Sequence, residues 1–562
     1  MSLVHIVLAV QLLFGIVIGL YFWNLLKGQR SQKITIQKES KKELDHLAKM
    51  NSISLSVPLS ERVRPAHFED VIGQEDGIKS LRAALCSENP QHVIVYGPPG
   101  VGKTAAARLV LEEAKKSEGT PFRSDAVFIE LDGTTARFDE RGIADPLIGS
   151  VHDPIYQGSG AMGQAGIPQP KPGAVSNAHG GVLFIDEIGE LHPIQMNKLL
   201  KVLEDRRVYY ESAYYSEEND QIPLHIHEIF KKGLPADFRL IGATTRKPEE
   251  IPPAIRSRCL EVFFKELEED EIKLVARRAA KKIQHDISQE AEELIARFAT
   301  NGREAVNLVQ IAAGVIANQD KNQITSEEME WVVESSQLTP RMVSKVPEKS
   351  RVGIVNGLAV YGPNMGALLP VEVRVLPTRS ENGKVTITGI VEEEEIGSQQ
   401  KSIRRKSMAR GSVDNVLTML QSLGVPTHHY DIHINFPGGV PVDGPSAGVT
   451  MAAGIMSAIY KKKVKCKVAL TGEVSVYGYV KPVGGIPSKV RAAQKAGAEM
   501  VIIPKDNNQA LLSNISDISV NLVEQFHEII PLLFEGSPSI SDLLHPHAYD
   551  VEEDKRPFSS SM

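Results

Sequence analysis

The sequence predicts an α/β protein of several domains preceded by a membrane-spanning helix, and three observations carry that expectation. Residues 3–26 form an apolar run with no acidic or basic residue apart from His5. Val93-Ile94-Val95-Tyr96 is a buried-strand run that enters a loop containing Gly97, Gly100 and Gly102 and then a helical segment, 105–115. After Gly353 the apolar period shortens to strand spacing at 371–376, 385–390, 431–436 and 468–470, with helices between, as in an α+β domain. A chain of 562 residues is long enough for roughly three or four domains, each with its own core.

Composition narrows the classes. Hydrophobic content of 42% and charged content of 24% are those of a globular protein, and a formal net charge of -7 gives no electrostatic case for nucleic acid. Cys86, Cys259 and Cys466 lie far apart without metal-ligand spacing, which suits a reducing compartment and argues against disulfides or zinc.

At about 1.5 Å rise per residue the run 3–26 would cross a hydrocarbon core of about 30 Å with some tilt. No Lys or Arg precedes it and no small-residue cleavage pattern follows it, which separates it from a secretory leader. Tyr21 and Trp23 lie where an interfacial belt would, and Lys27, Arg30 and Lys33 follow at once. The positive-inside rule then makes this a single-pass cell-membrane protein with everything after the span in the cytoplasm. Gly15 and Gly19 have the spacing of a helix-packing face or are chance glycines. Residues 1–30 are read as the anchor and 31–62, polar with Lys/Glu pairs between Lys38 and Lys49, as a linker.

The segment Gly97-Pro98-Pro99-Gly100-Val101-Gly102-Lys103-Thr104 stands between strand and helix, the order a P-loop needs. Its backbone N–H groups would cradle the phosphates of ATP, Lys103 would reach the β and γ phosphates, and Thr104 would hold Mg²⁺. The next buried strand, Val182-Leu183-Phe184-Ile185, ends in Asp186 and Glu187. Asp186 is expected to bind the Mg²⁺ through water, and Glu187 to orient the attacking water. A nucleotide-binding domain is assigned to 63–265. Helical patterns at 270–281, 288–299, 304–317 and 326–335 assign a lid to 266–340. Between the P-loop and the Asp186-Glu187 pair, 145–180 is rich in Gly and Pro without helical or strand period, and a loop of that length is usually functional or disordered.

Asp443-Gly444-Pro445-Ser446-Ala447-Gly448 leads into an apolar, proline-free stretch that ends at Tyr460, so Ser446 should sit where a tight turn enters a buried helix. Amide N–H groups at a helix start can hold an oxyanion. The serine lacks a local base. Lys489 opens a second helical segment, 488–496, and burial together with a helix's positive end would disfavour its charged form, leaving an amine able to take a proton. Alone, the serine turn equally suits a helix entry without chemistry. Residues 341–535 are assigned to this domain and 536–562 to a Ser/Pro/acidic tail expected to be disordered.

The residues 443–448, Thr471-Gly472-Glu473-Val474-Ser475, and Pro482-Val483-Gly484-Gly485-Ile486 followed by Lys489 resemble the Ser-Lys protease domain of the Lon family. That resemblance runs from near Val352 to about Pro504, and a separate resemblance to AAA+ ATPases covers about 64–339. Together they imply an ATP-dependent serine endopeptidase acting on proteins as a homo-oligomeric ring, a hexamer, with Ser446 and Lys489 as its catalytic dyad. Asp443 would fix the turn, Thr471 would bond the lysine, and His433 would line the site. In the ATPase, Ile72 belongs to the segment that covers adenine, Thr245 is similar to the sensor of the γ-phosphate, and Arg303 to a second sensor in the lid. Arg258 resembles the arginine finger given to the neighbouring subunit, with Arg256 as the alternative. Leu147 with Ile148, or Ile155 with Tyr156, would grip substrate in the ring's pore. The short N-terminal region resembles the membrane-anchored LonB branch of spore-forming bacteria and leaves no room for the globular N-terminal domain of larger Lon proteins. Pro487-Ser488 departs from the commonest pattern before the lysine. The rival reading, a non-proteolytic AAA+ remodeller, expects no chemistry after residue 340.

Overall fold

The computed structural model describes residues 14–21, 23, 44, 47, 50, 59–136, 145–153, 167–219, 222–317, 321–341, 345–361, 365–378, 383–389, 393–396, 403–406, 408–437, 444–510, 512, 515, 517–536 and 541. It forms two units, Met1–Arg62 and Val63–Met562. In the first, residues 14–21 are helical, and Phe14, Ile16, Leu20, Tyr21 and Trp23 are each about half exposed or more. Most of the apolar run 3–26 lies outside the described residues, and among the described ones no helix is long and apolar enough to cross a membrane.

The second unit begins with an α/β layer. Five parallel strands, β1 (His92–Tyr96), β2 (Phe128–Asp132), β3 (Val182–Asp186), β4 (Arg239–Thr244) and β5 (Cys259–Phe263), lie in the order β2-β3-β4-β1-β5. The central strands β1, β3 and β4 are continuous apolar runs because helices cover both faces of the sheet. Helices α1 (Glu75–Leu85), α2 (Lys103–Ala114) and α3 (Pro193–Asp205) supply part of that cover.

A bundle of four helices follows: α4 (Glu269–Lys282), α5 (Gln289–Phe298), α6 (Gly302–Ile316) and α7 (Ser326–Ser335). Each start is capped by a side chain. Ser288 accepts from Ala291 N–H and Asn301 from Glu304 N–H, while Glu268 with Glu271 and Thr325 with Glu328 form capping boxes.

The last layer is a seven-stranded mixed sheet: β6 (Ile354–Tyr361), β7 (Met365–Pro377), β8 (Val385–Thr388), β9 (Tyr430–Asn435), β10 (Val468–Leu470), β11 (Met500–Pro504) and β12 (Ser519–Val523), in the order β8-β9-β7-β6-β10-β11-β12. Alternate residues enter different cores. Val355, Leu369, Val371, Leu470 and Ile502 join the core that includes α8 (Met408–Ser422) and α9 (Gly448–Tyr460). Leu358, Leu368, Ala469, Val501 and Ile503 join the core of α10 (Ile486–Lys495). The sheet is therefore covered on both faces, with α9 on one and α10 on the other.

Two expectations are corrected. The supposedly aperiodic stretch 145–180 contains an antiparallel hairpin, Gly149–His152 with Gln169–Pro172, and a short helix, Ala174–Asn177. Pro170 and Pro172 in so short a strand erase the period that would have revealed it. Leu147 and Ile148 are 0% and 8% exposed and belong to the core under β3 and β4, so their side chains are not available to grip a polypeptide. Their N–H groups bond Asp145 Oδ1 at 3.1 Å each, and Tyr210 donates to the Ile148 carbonyl at 3.3 Å, which fixes the pair as the hairpin's root. Ile155 and Tyr156 lie outside the described residues.

Candidate active site and nucleotide site

Ser446 sits in a 3-10 turn, Gly444–Ala447, that runs directly into α9. That helix is buried from Gly448 through Ser457, so its polar residues must find partners inside the fold. Thr450 donates to the Leu470 carbonyl at 3.3 Å, Val449 N–H to the Gly472 carbonyl at 3.1 Å, and Gly472 N–H to the Ser446 carbonyl at 3.0 Å. These bonds lash the start of α9 to the end of β10. Sequence reasoning missed Thr450, although a threonine in an otherwise apolar helix was the signal.

From the opposite face, α10 begins two residues earlier than expected, with Gly485 as a left-handed cap (φ 67°) and Pro487 in the first turn. Lys489 therefore stands inside the first turn instead of opening the helix. Close approach of β7 holds that turn: a Cβ at Gly366 would come within 2.1 Å of the Ser488 carbonyl oxygen. Lys489 Nζ donates to Thr471 Oγ1 at 3.1 Å, and Thr471 Oγ1 donates to the Ser446 carbonyl at 3.2 Å. Ser446, Thr471 and Lys489 are 3%, 1% and 2% exposed. Thr471 follows β10 directly, so the strand end is where the two helices on opposite faces meet. Asn356 sets that strand, donating to the Cys466 and Val468 carbonyls at 2.7 and 3.0 Å. One hydroxyl, that of Thr471, thus joins the lysine's nitrogen to the serine's backbone in a water-poor interior.

His433 is placed elsewhere. Ile432 and Ile434 point into the core, so His433 falls on the exposed face of β9, where its Nε2 is 3.0 Å from Thr388 Oγ1. It stands outside the buried Lys489–Thr471–Ser446 chain. Asp443 lies outside the described residues.

At the other site the loop Gly97–Gly102 leaves β1 in mid-sheet and enters α2, with Gly102 as a left-handed cap (φ 92°). Lys103 is buried and its Nζ donates to the Gly97 and Pro98 carbonyls at 2.7 and 2.9 Å. Burial pushes its ammonium down from the ordinary lysine value, opposed by the charges of Glu187 and Asp186 and reinforced by Arg303. The structure thus brings Lys103, Asp186, Glu187 and Arg303 into one field. Glu187 takes a left-handed backbone (φ 48°), and its Oε2 accepts from Thr245 N–H at 3.1 Å and Thr245 Oγ1 at 3.2 Å. Asn301 presses against the loop, since a Cβ at Gly100 would meet its Oδ1 at 2.6 Å. Val71, beside Ile72, lies over Gly102 in the same way at 3.2 Å. Thr104 at the start of α2 and Asp186 at the end of β3 offer hard oxygen donors of the kind Mg²⁺ takes together with phosphate and water. Arg258 pairs with Glu204 and with the Ala254 carbonyl, and Arg256 pairs with Glu261 at 2.7 Å.

A P-loop sheet with a helical lid joined to a buried serine–lysine arrangement defines an ATPase fused to a peptidase. The family profile described as Lon protease (S16) C-terminal proteolytic domain matches residues 323–535, and that of the ATPase family associated with various cellular activities (AAA) matches residues 93–267. The chain is 66% identical over 545 residues to Lon protease 2 of Bacillus subtilis, covering 97% of this chain and 99% of that one. It is 28% identical over 468 residues to the archaeal Lon protease of Thermococcus kodakarensis, covering 75% and 68% of the two chains. With the archaeal Lon protease of Archaeoglobus fulgidus it shares 30% identity over 461 residues, 74% and 70% of the two chains. The chain belongs to the Lon protease family and is an ATP-dependent serine protease.

Proposed function

We propose that Ser446 is the nucleophile and Lys489 the base of this protease, with the buried Lys489–Thr471–Ser446 chain as the observation that carries the assignment. Ser446 Oγ attacks the substrate's peptide carbonyl as Lys489 Nζ takes its proton. The start of α9 offers amide N–H groups to the oxyanion. Lys489 then returns the proton to the leaving amine, and water, deprotonated by the same amine, releases the acyl group and restores Ser446. On the ATPase side, Lys103 and the loop amides would hold the phosphates, Thr104 and, through water, Asp186 would hold Mg²⁺, Glu187 would orient the attacking water, and Thr245 and Arg303 would act as sensors. When bound, Mg²⁺ would supply neutralisation of the phosphate charge.

The reading extends to a membrane-anchored, LonB-like protein, with 1–30 as anchor, 31–62 as linker, 63–265 and 266–340 as ATPase and lid, 341–535 as protease and 536–562 as tail. The apolar side chains exposed along 14–21 and the basic residues after them support the anchor. In a hexameric ring Arg258, or Arg256, would leave its own carboxylate partner to reach the neighbour's ATP, and Ile155 with Tyr156 would supply the grip on substrate. The test is degradation of a stably folded protein with and without ATP by the wild type and by Ser446→Ala, after membrane fractionation of cells expressing the full chain and one lacking residues 1–30. ATP-dependent degradation lost in Ser446→Ala, and membrane association lost in the truncation, are the expected results. Full degradation by Ser446→Ala would sink the dyad assignment, and membrane retention of the truncation would sink the anchor.

A further inference from the structure

Lys495 ends the helix whose first turn holds Lys489, and its Nζ lies 3.1 Å from Oε1 of Glu268, the residue that caps α4. Burial works against the Glu268 carboxylate, but Lys495, Lys265 and Arg491 outweigh it and hold the group below the usual carboxylate range. Two of those three cations, Arg491 and Lys495, belong to α10. The segment that follows the lid holds the same end of α10, since Val346 N–H donates to the Ala496 carbonyl at 3.0 Å.

Glu268 is tied in turn to the nucleotide side. Gln74 pairs with the backbone of Lys265 in both directions at 2.9 Å, and Glu271 backs Gly73, where a Cβ would meet its carboxylate at 2.4 Å. The α6 end of the same bundle presses Asn301 against Gly100 and brings the Arg303 charge to bear on Lys103. A shift of the bundle relative to the P-loop therefore carries Glu268 with it. At the other end, α10 is a short stiff rod of about 15 Å. Its first turn is gripped at Gly366 against Ser488 and at Gly485 against Val360. Displacing its far end turns the rod about that grip, and Lys489 lies within it.

We propose that Glu268 and Lys495 are positioning residues through which the lid sets the angle of α10, and with it the reach of Lys489 toward Thr471 and Ser446. The link rests on the dyad assignment above and deepens it by naming the route from nucleotide to peptidase. Lys495 and Glu268 are half exposed, so breaking the pair leaves the fold standing and the effect readable.

The experiment uses the full chain and a short unstructured peptide that needs no unfolding, with kcat and KM measured in ATP and in ADP and ATPase activity followed on the same preparation. Wild type should show a peptidase kcat at least fivefold different between the two nucleotides. Lys495→Glu should bring that ratio to about one, with KM and ATPase activity within twofold of wild type. Lys495→Arg, which keeps the charge, should keep the ratio, and the double variant Glu268→Lys with Lys495→Glu should recover at least half of it. A wild-type ratio of one, an unchanged ratio in Lys495→Glu, equal damage in Lys495→Arg, or no recovery in a double variant with normal ATPase activity would each overturn the proposal. Ser446→Ala is run alongside, and cleavage persisting there would mark failure of the dyad itself rather than of the link.

Discussion

The Thr471 hydroxyl receives Lys489 Nζ at 3.1 Å and passes its own hydrogen to the Ser446 carbonyl at 3.2 Å. One side chain thus sets where the lysine points and where the serine's backbone lies. Thr471→Val keeps the shape and removes both bonds, so peptide-cleavage kcat should drop by about tenfold to a hundredfold. Thr471→Ser should retain most of the activity. Equal activity in the valine variant would show that packing alone positions the lysine.

Ser446→Ala and Lys489→Ala should each reduce peptide cleavage by roughly a thousandfold or more, because nucleophile and base act as a unit. ATP hydrolysis should continue in both. Parallel loss of the two activities in either variant would point to a damaged fold rather than to a missing nucleophile or base.

Glu187→Gln should leave ATP binding intact and slow hydrolysis by about a hundredfold or more, since the amide can still accept from Thr245 but orients water poorly. Degradation of folded proteins should stop, with short peptides still cut. Nucleotide binding measured directly separates this outcome from simple loss of the site.

Leu147 is fully buried at the root of a hairpin, so Leu147→Ala should lower stability by about 2–5 kcal/mol. A residue that merely gripped substrate would cost degradation without lowering the thermal midpoint. Denaturation of the variant, with and without ATP, distinguishes the two.

Burial, reinforced by the Arg239 charge, holds His92 at about 4, below the ordinary histidine value of 6.5. Its neutral ring accepts Leu240 N–H at 3.0 Å through Nδ1. Between those two values the unfolded chain binds the extra proton and the folded one does not, so stability must fall as pH drops from about 6.5 to 4. The loss should be on the order of 3 kcal/mol at the acid end, and His92→Asn should flatten it. Denaturant midpoints taken across that range provide the measurement, and an unchanged slope in the variant would exclude His92 as the source.

Much of this was legible in the chain. Strand, glycine loop and helix at 93–115 follow from local pattern, as do the caps at Ser288 and Asn301, because each depends on residues within one turn of one another. Ser446 and Lys489 were found through motifs, yet nothing local shows that they arrive from opposite faces of a sheet; that depends on β10 lying between β6 and β11. The assignment of Leu147 and Ile148 failed for a related reason. A Gly- and Pro-rich stretch looks the same whether it projects or folds back, and only the core it folds onto tells the two apart. His433 was misjudged by one position's parity, since its neighbours Ile432 and Ile434 take the inward face of β9.

The serine comes with α9 and the lysine with α10, and the strand end that unites them is secured by Asn356, far earlier in the chain. No fragment emerging from the ribosome contains a working scissor until that sheet has closed on both sides. Maturation of the site is thus the folding of the sheet itself, and a chain whose sheet is half made lacks the arrangement that would cut.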